Sequence, residues 1–257
     1  MGAVLDVELW QHASALDAAE NRAALDLITE QTRADLVVLP EAFARDFGDP
    51  GSSLAPYAEP LDGPFVGALR AASQRSGAAV VGGMFETSDD PDRPFNTLVL
   101  AQGDQLTTYR KIHLYDSFGQ RESDVVMPGP LDPVVADVAG ARVGLLTCYD
   151  LRFPELARAL SAQGVDVLVL PAAWVAGERK VEHWRTLLRA RAIENLCWVV
   201  AAAQPGPRYC GHSLVIAPTG DVVAEGGEGE EWITATLELD QVADTRRQNP
   251  SLQNRRL

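Results

Sequence analysis

The 257-residue chain has no run of about 18 uncharged apolar residues, so a membrane-spanning helix is not expected. Its opening stretch, Met-Gly-Ala-Val-Leu-Asp-Val-Glu, lacks the basic and apolar regions of a secretory signal. Cysteine is scarce. Cys148, Cys197 and Cys210 form an odd set without C-x-x-C spacing, which argues against a disulfide framework and a zinc knuckle. Reduced thiols in a cytoplasmic protein are therefore expected. Positive charge is short as well: 22 Lys and Arg stand against 36 Asp and Glu, and the net charge of −14 would repel nucleic-acid phosphates and anionic membranes. Neither is expected as a partner.

What the chain does have is an alternation of short apolar runs with amphipathic segments, enough for one large α/β domain. Asp17-Ala-Ala-Glu20 resembles a capping box and starts a helix reaching about Gln31. Pro64 opens a second helix and Gly77 closes it; Pro154 to Gln163 and Lys180 to Asn195 give two more. Buried strands are expected at Ala34 to Pro40, Ala78 to Met84, Val167 to Pro171 and Cys197 to Ala203. Two strands turn at Gln102 to Gln105, and a hairpin turns at Ala139-Gly140. Further strands follow at Ser213 to Ala217, Asp221 to Ala224 and Trp232 to Leu239, and then a polar tail at about 241–257. The aperiodic, charged stretch from Ile112 to Pro130 reads as a long loop, a common site of function.

The two halves echo one another in three places and in the same order. Asp35-Leu-Val-Val-Leu-Pro-Glu-Ala-Phe43 matches Asp166-Val-Leu-Val-Leu-Pro-Ala-Ala-Trp174, Ala79-Val-Val-Gly-Gly matches Val199-Val-Ala-Ala-Ala, and Thr97 to Asp104 matches Ser213 to Asp221 with one extra residue. Short apolar strands also resemble one another by chance, but the shared order points to two pseudo-symmetric α/β halves. One difference stands out: Glu41 follows the first Leu-Pro step where Ala172 follows the second. A carboxylate at the end of a buried strand is costly unless it is paired or used.

Cys148 ends the apolar run Val143-Gly-Leu-Leu-Thr-Cys148, with a helix soon afterwards. Such a thiol can be a nucleophile, because the following turn offers backbone N–H groups to an oxyanion and a helix N-terminus favours thiolate. A lone cysteine also packs as a small hydrophobe. Lys111 sits at the end of the strand Leu106 to Arg110, where the default reading is a solvated rim charge. Together Glu41, Lys111 and Cys148 are a base, a cation and a nucleophile at three strand ends, where α/β sheets place their sites. His12, His113, His183 and His212 leave a Cys-His pairing open, but none carries a general-base motif and a structural role is favoured for His113.

Leu39-Pro-Glu-Ala-Phe43, Tyr109-Arg-Lys-Ile-His-Leu-Tyr115 and Leu146-Thr-Cys-Tyr-Asp-Leu-Arg-Phe-Pro-Glu155 resemble the three signature motifs of the nitrilase superfamily, the carbon–nitrogen hydrolases with a Glu-Lys-Cys triad. The resemblance runs from Val7 to about Arg256. It implies one domain over 1–257, folded as a four-layer αββα sandwich, with catalytic Glu41, Lys111 and Cys148 and a supporting glutamate, Glu122, in Gln120-Arg-Glu-Ser-Asp124. Cys148 would attack the amide carbonyl, Glu41 would shuttle the proton to departing ammonia, and Lys111 with the Tyr149 N–H would hold the oxyanion. Water would then release the acid from a thioester. No metal or cofactor is called for, and a homodimer is implied.

Leu-Pro-Ala-Ala-Trp174 and His183 to Glu194 add a likeness to the deaminated glutathione amidase branch, whose substrate is a small carboxylated amide. The neighbouring readings are an ω-amidase acting on α-ketoglutaramate, an N-carbamoyl amidohydrolase, a nitrilase, or a catalytically silent binding protein of the same fold. Phe43, Tyr115 and Trp174 are the expected pocket residues, with a core tryptophan as the alternative for the last. A substrate carboxylate needs an arginine or backbone donors, and Arg152 and Arg189 can equally be ion-paired scaffold.

Overall fold

Along Leu36-Val-Val-Leu39 the side chains alternate between two different cores, and that alternation sets the layering of the molecule. Leu36 and Val38 share a cluster with Val143, Leu145, Val167 and Val169 of the second half, whereas Val37 and Leu39 pack with Ile28, Phe65 and Leu69 of the helices. All are buried, and truncating such a leucine to alanine costs about 2–5 kcal/mol. The computed structural model describes residues 2–256, apart from the side chains of residues 29–31.

The first half contributes β1 (Val4–Gln11), β2 (Leu36–Val38), β3 (Ala79–Glu86), β4 (Phe95–Gln102) and β5 (Gln105–Arg110) to one sheet. The other sheet takes β6 (Val135–Val138), the last strand of the first half, together with β7 (Ala141–Leu145), β8 (Val167–Val169), β9 (Trp198–Ala201), β10 (Leu214–Ile216) and β11 (Val222–Glu225) of the second. The last strand, β12 (Glu231–Glu238), returns to pair antiparallel with β1. The sheet orders are β12-β1-β2-β3-β4-β5 and β11-β10-β9-β8-β7-β6. In each sheet two parallel pairings, β1/β2/β3 or β7/β8/β9, are followed by two antiparallel ones. The expected pseudo-symmetry is therefore a property of the fold, and it extends to an exchange: each half sends its final strand, β6 or β12, to the other half's sheet.

Helices cover both outer faces, completing an αββα sandwich. On the first face lie α1 (Ala18–Ala24), α2 (Asp26–Gln31) and α3 (Pro64–Ser76); on the second lie α4 (Pro154–Ala162) and α5 (Lys180–Asn195). The single helix expected from Asp17 is interrupted at Leu25, whose N–H bonds Arg22 O in a tighter turn, although Asp17 does cap it by accepting from Ala19 N at 2.8 Å. Pro64 opens α3, and Gly77 closes it at φ +78°, a conformation that glycine adopts freely. Beyond Asp240 the polar tail is helical: α6 (Asp240–Gln248) buries Val242, and Arg246 donates to Val165 O. β1 lies outside the strands expected from sequence, and its Leu5, Val7 and Leu9 alternate into the inter-sheet core. No helix of the described residues is long and apolar enough to cross a membrane.

Candidate active site

The ends of β2, β5 and β7 deliver Glu41, Lys111 and Cys148 to one buried cluster. Lys111 Nζ lies 2.9 Å from Glu41 Oε1 and 2.8 Å from Glu122 Oε2, and the Lys111 and Glu41 side chains are only 2% and 1% exposed. Burial disfavours the Lys111 ammonium, but the Glu122 and Glu41 carboxylates more than offset that and raise its pKa well above the ordinary lysine value. Lys111 is thus a fixed cation. Its backbone is held too, its N–H donating to Asn96 O and its carbonyl accepting from Gly129 N, each at 2.8 Å.

Every oxygen of the Glu41 carboxylate is held. Oε1 accepts from Lys111 Nζ and from Asn96 Nδ2 at 2.8 Å, and Oε2 accepts from Ala173 N at 2.7 Å. Asn96 also reaches Glu122 Oε1 at 3.2 Å, so it bridges the two carboxylates. Glu122, in a single 3₁₀ turn of the long loop, accepts from Tyr115 N at 2.6 Å. The second half's Leu-Pro-Ala-Ala copy supplies backbone here: Ala173 N grips Glu41, and Pro171 O accepts from Cys148 N at 2.9 Å.

Cys148 begins a 3₁₀ turn (Cys148–Arg152) with φ +46°, a left-handed conformation that costs a non-glycine residue about 1–3 kcal/mol. The turn is braced by Asp150, fully buried, which accepts from Thr147 N at 2.9 Å, Tyr109 Oη at 2.6 Å and His113 N at 3.1 Å. His113 Nδ1 lies 2.7 Å from the same carboxylate, and the ring stacks on Phe153. The expectation that a helix end would favour thiolate is not met. Burial, then the Glu41 charge, raise the Cys148 pKa well above that of a free thiol, with Lys111 opposing, and the thiol donates to Glu41. The resting group is S–H, beside a carboxylate that can take its proton.

A cavity of about 150 Å³ opens onto Glu41, Lys111, Glu122 and Cys148 and is walled by Tyr115, Tyr149, Trp174 and Lys180. Of the three residues expected at a substrate pocket, Tyr115 and Trp174 line this cavity. Phe43 does not: it is wholly buried among Trp10, His12 and Phe65, because the side chain after Ala42 turns into the helix-facing core. None of the four histidines lines the cavity. Arg189 is scaffold, donating to Gly220 O at 2.9 Å, and Arg152 packs its guanidinium over Trp174.

Sequence reasoning missed Asn96, Asp150 and Lys180. A signal for Asn96 was present: an amide within the apolar strand Phe95-Asn-Thr-Leu-Val-Leu100 must be satisfied where it is buried. Asp150 and Lys180 carried a weaker signal, since each is a charged residue beside a turn.

Residues 7–247 match the family model described as carbon-nitrogen hydrolase. Among curated relatives, a deaminated glutathione amidase of Escherichia coli is 42% identical over 93% of this chain and 91% of its own length. One of Homo sapiens is 38% identical over 97% and 82%. The crystal structure of a CN-hydrolase superfamily protein from Xanthomonas campestris, with an arsenic adduct in its active site, superimposes with a TM-score of 0.89 at 32% identity, covering 99% of this chain and 98% of that one. With the strand order, the buried Glu-Lys-Cys cluster and this match over nearly the whole length, the chain belongs to the carbon–nitrogen hydrolases of the nitrilase superfamily.

Proposed function

We propose that this protein is a thiol amidase that hydrolyses a small carboxylated amide, with deaminated glutathione as its substrate. The observation that carries the reading is the buried Cys148 thiol beside a Glu41 carboxylate that is hydrogen-bonded on both oxygens. The amidase names of the E. coli and human relatives supply the substrate.

Glu41 takes the thiol proton as sulfur attacks the carbonyl carbon, so no free thiolate accumulates. The oxyanion that forms is held by the Lys111 ammonium and the Tyr149 N–H, a first-turn donor of the 3₁₀ segment with no intrahelical acceptor. Glu41 then protonates the amide nitrogen, the C–N bond breaks, and a thioester remains on Cys148. With a primary amide the departing group is ammonia. In deaminated glutathione the nitrogen carries the rest of the peptide, and an amine departs instead. Water enters, gives a proton to Glu41 and attacks the thioester; collapse releases the carboxylic acid, and Glu41 returns its proton to sulfur. Glu122 keeps Lys111 charged and in place, while Asn96 aligns the two carboxylates.

Two features support a single-domain protein: the core cluster draws on both sheets, and each half completes the other's sheet. The three cysteines are free and buried, as suits a reducing cytoplasm. The acidic net charge favours small-molecule partners over nucleic acid or membrane, and Ile193, Val222 and Val223, exposed on α5 and β11, offer apolar surface to a homodimer.

The test is hydrolysis of deaminated glutathione, followed by release of the peptide amine, against α-ketoglutaramate, an N-carbamoyl amino acid and a nitrile. Preference for deaminated glutathione supports the reading. Preference for the nitrile or the carbamoyl compound moves the protein to another branch.

A further inference from the structure

Four cations line the cavity, and three have carboxylate partners: Lys111 pairs with Glu41 and Glu122, Arg208 with Asp46, and Arg121 with Asp124. The fourth is Lys180, only 8% exposed, and no carboxylate among the described residues pairs with it. Its Nζ donates to Tyr115 Oη at 3.0 Å and sits 4.2 Å from the Phe118 ring centroid, 5.2 Å from that of Tyr115 and 5.6 Å from that of Trp174. A buried ammonium without a counter-charge is costly, and aromatic faces replace only part of its hydration.

Its place in the fold makes the charge more conspicuous. Lys180 is the first residue of α5, where the helix dipole disfavours a cation. The backbone there is pinned, since Trp174 Nε1 donates to Lys180 O at 3.0 Å, so the same tryptophan that walls the cavity anchors the start of α5, while Tyr115 Oη holds the ammonium.

We propose that Lys180 is the specificity-determining residue for this reaction, its ammonium binding a substrate carboxylate remote from the scissile amide, with Tyr115 Oη orienting it. This rests on the amidase reading above. The missing counter-ion is then supplied by the substrate, and the cavity selects carboxylated amides over neutral amides of the same length. The carboxylate can lie on the acyl chain or on the departing amine, and the probes below separate the two.

The experiment compares the unmodified protein, Lys180→Met and Lys180→Arg on matched amides. Glutaramate against pentanamide tests an acyl-chain carboxylate; N-pentanoylglycine against N-methylpentanamide tests one on the leaving amine. Lys180→Met is expected to lower kcat/KM for at least one carboxylated member by about 30-fold, mainly through KM, and to leave its neutral partner within about twofold. Lys180→Arg should retain most of the preference. Equal losses on charged and neutral amides, or no loss on either, overturn the proposal. If the unmodified protein hydrolyses none of the four, the amidase reading is decided by the deaminated glutathione assay above, and fails if that is also inactive. Lys180 is then judged by glutarate binding, measured calorimetrically on Cys148→Ala with and without Lys180→Met. A Kd raised about 30-fold by the second change upholds the carboxylate site, and an unchanged Kd overturns it.

Discussion

Tyr109 Oη donates a 2.6 Å hydrogen bond to Asp150 Oδ2. Tyr109 lies two residues before Lys111, His113 lies two after it, and both grip the carboxylate two residues after Cys148. The strand end that carries the cation and the turn that carries the thiol are therefore tied together at a fully buried acid, outside the cavity. This tie explains how a strained turn at Cys148 is held against a long loop.

Tyr109→Phe should consequently impair both stability and catalysis. It leaves Asp150 Oδ2 with Thr147 N alone, and losing a buried hydrogen bond to a charged group costs about 1.5–3 kcal/mol. Denaturant unfolding should show that loss, and kcat should fall about tenfold as the thiol drifts from Glu41. Unchanged kcat would mean that the turn holds itself.

Gly83 of β3 passes directly under the Glu41 segment. A Cβ there would lie 2.6 Å from Ala42 N, and Gly83 O already accepts from Ala44 N at 2.9 Å. Gly83→Ala should therefore displace Glu41 and lower kcat by about 100-fold, because a shift near 1 Å in a positioned group costs that much. Gly67→Ala is the control: it lies in α3 with open space around it, and should stabilise by about 0.5–1 kcal/mol with activity intact.

The resting thiol makes a distinct pH prediction. Since Cys148 is raised well above the free-thiol range, kcat/KM should not climb through the ordinary thiol pKa of about 8.5, and alkylation of Cys148 by iodoacetamide at pH 8 should be much slower than that of free cysteine. A rate rising through that value would indicate a free thiolate nucleophile.

The same burial acts on stability. Cys197 and Cys210 are pushed up to about 12, chiefly by desolvation. Above about pH 8.5 the unfolded chain loses these protons while the folded chain keeps them, so stability is full below that pH and declines as pH rises toward the folded values. For fully buried Cys197 the slope is about 1.4 kcal/mol per pH unit in that window, Cys148, also raised, acts in the same direction, and Lys111 does so only above the ordinary lysine pKa of about 10.4. Chemical denaturation at pH 7, 9 and 10 should follow this decline; constant stability would refute it.

The architecture was legible because period-2 apolar runs and the repeated Leu-Pro step report burial directly. The half-to-half comparison isolated Glu41, since one copy carried a charge where the other carried Ala172. The direction of the Phe43 side chain was not legible, because the turn at Ala42, with φ +56°, sends it to the core while Trp174, its repeat counterpart, reaches the cavity. Nor was the Cys148 ionisation. Sequence placed the thiol near a helix start, but only packing showed how completely it is desolvated and how close Glu41 lies. Lys180 escaped for a similar reason: a lysine at a helix end reads as solvated until its burial, with no carboxylate partner among the described residues, is seen.

In the proposed mechanism Cys148 forms a thioester with Glu41 as its proton shuttle. The most direct measurement is acid-quenched mass spectrometry of the protein during turnover of an amide substrate. An acyl adduct localised to Cys148 is expected, absent in Cys148→Ala and forming about 100-fold or more slower in Glu41→Gln. Sustained hydrolysis by Cys148→Ala, or turnover with no adduct on Cys148 under conditions that preserve thioesters, would contradict it.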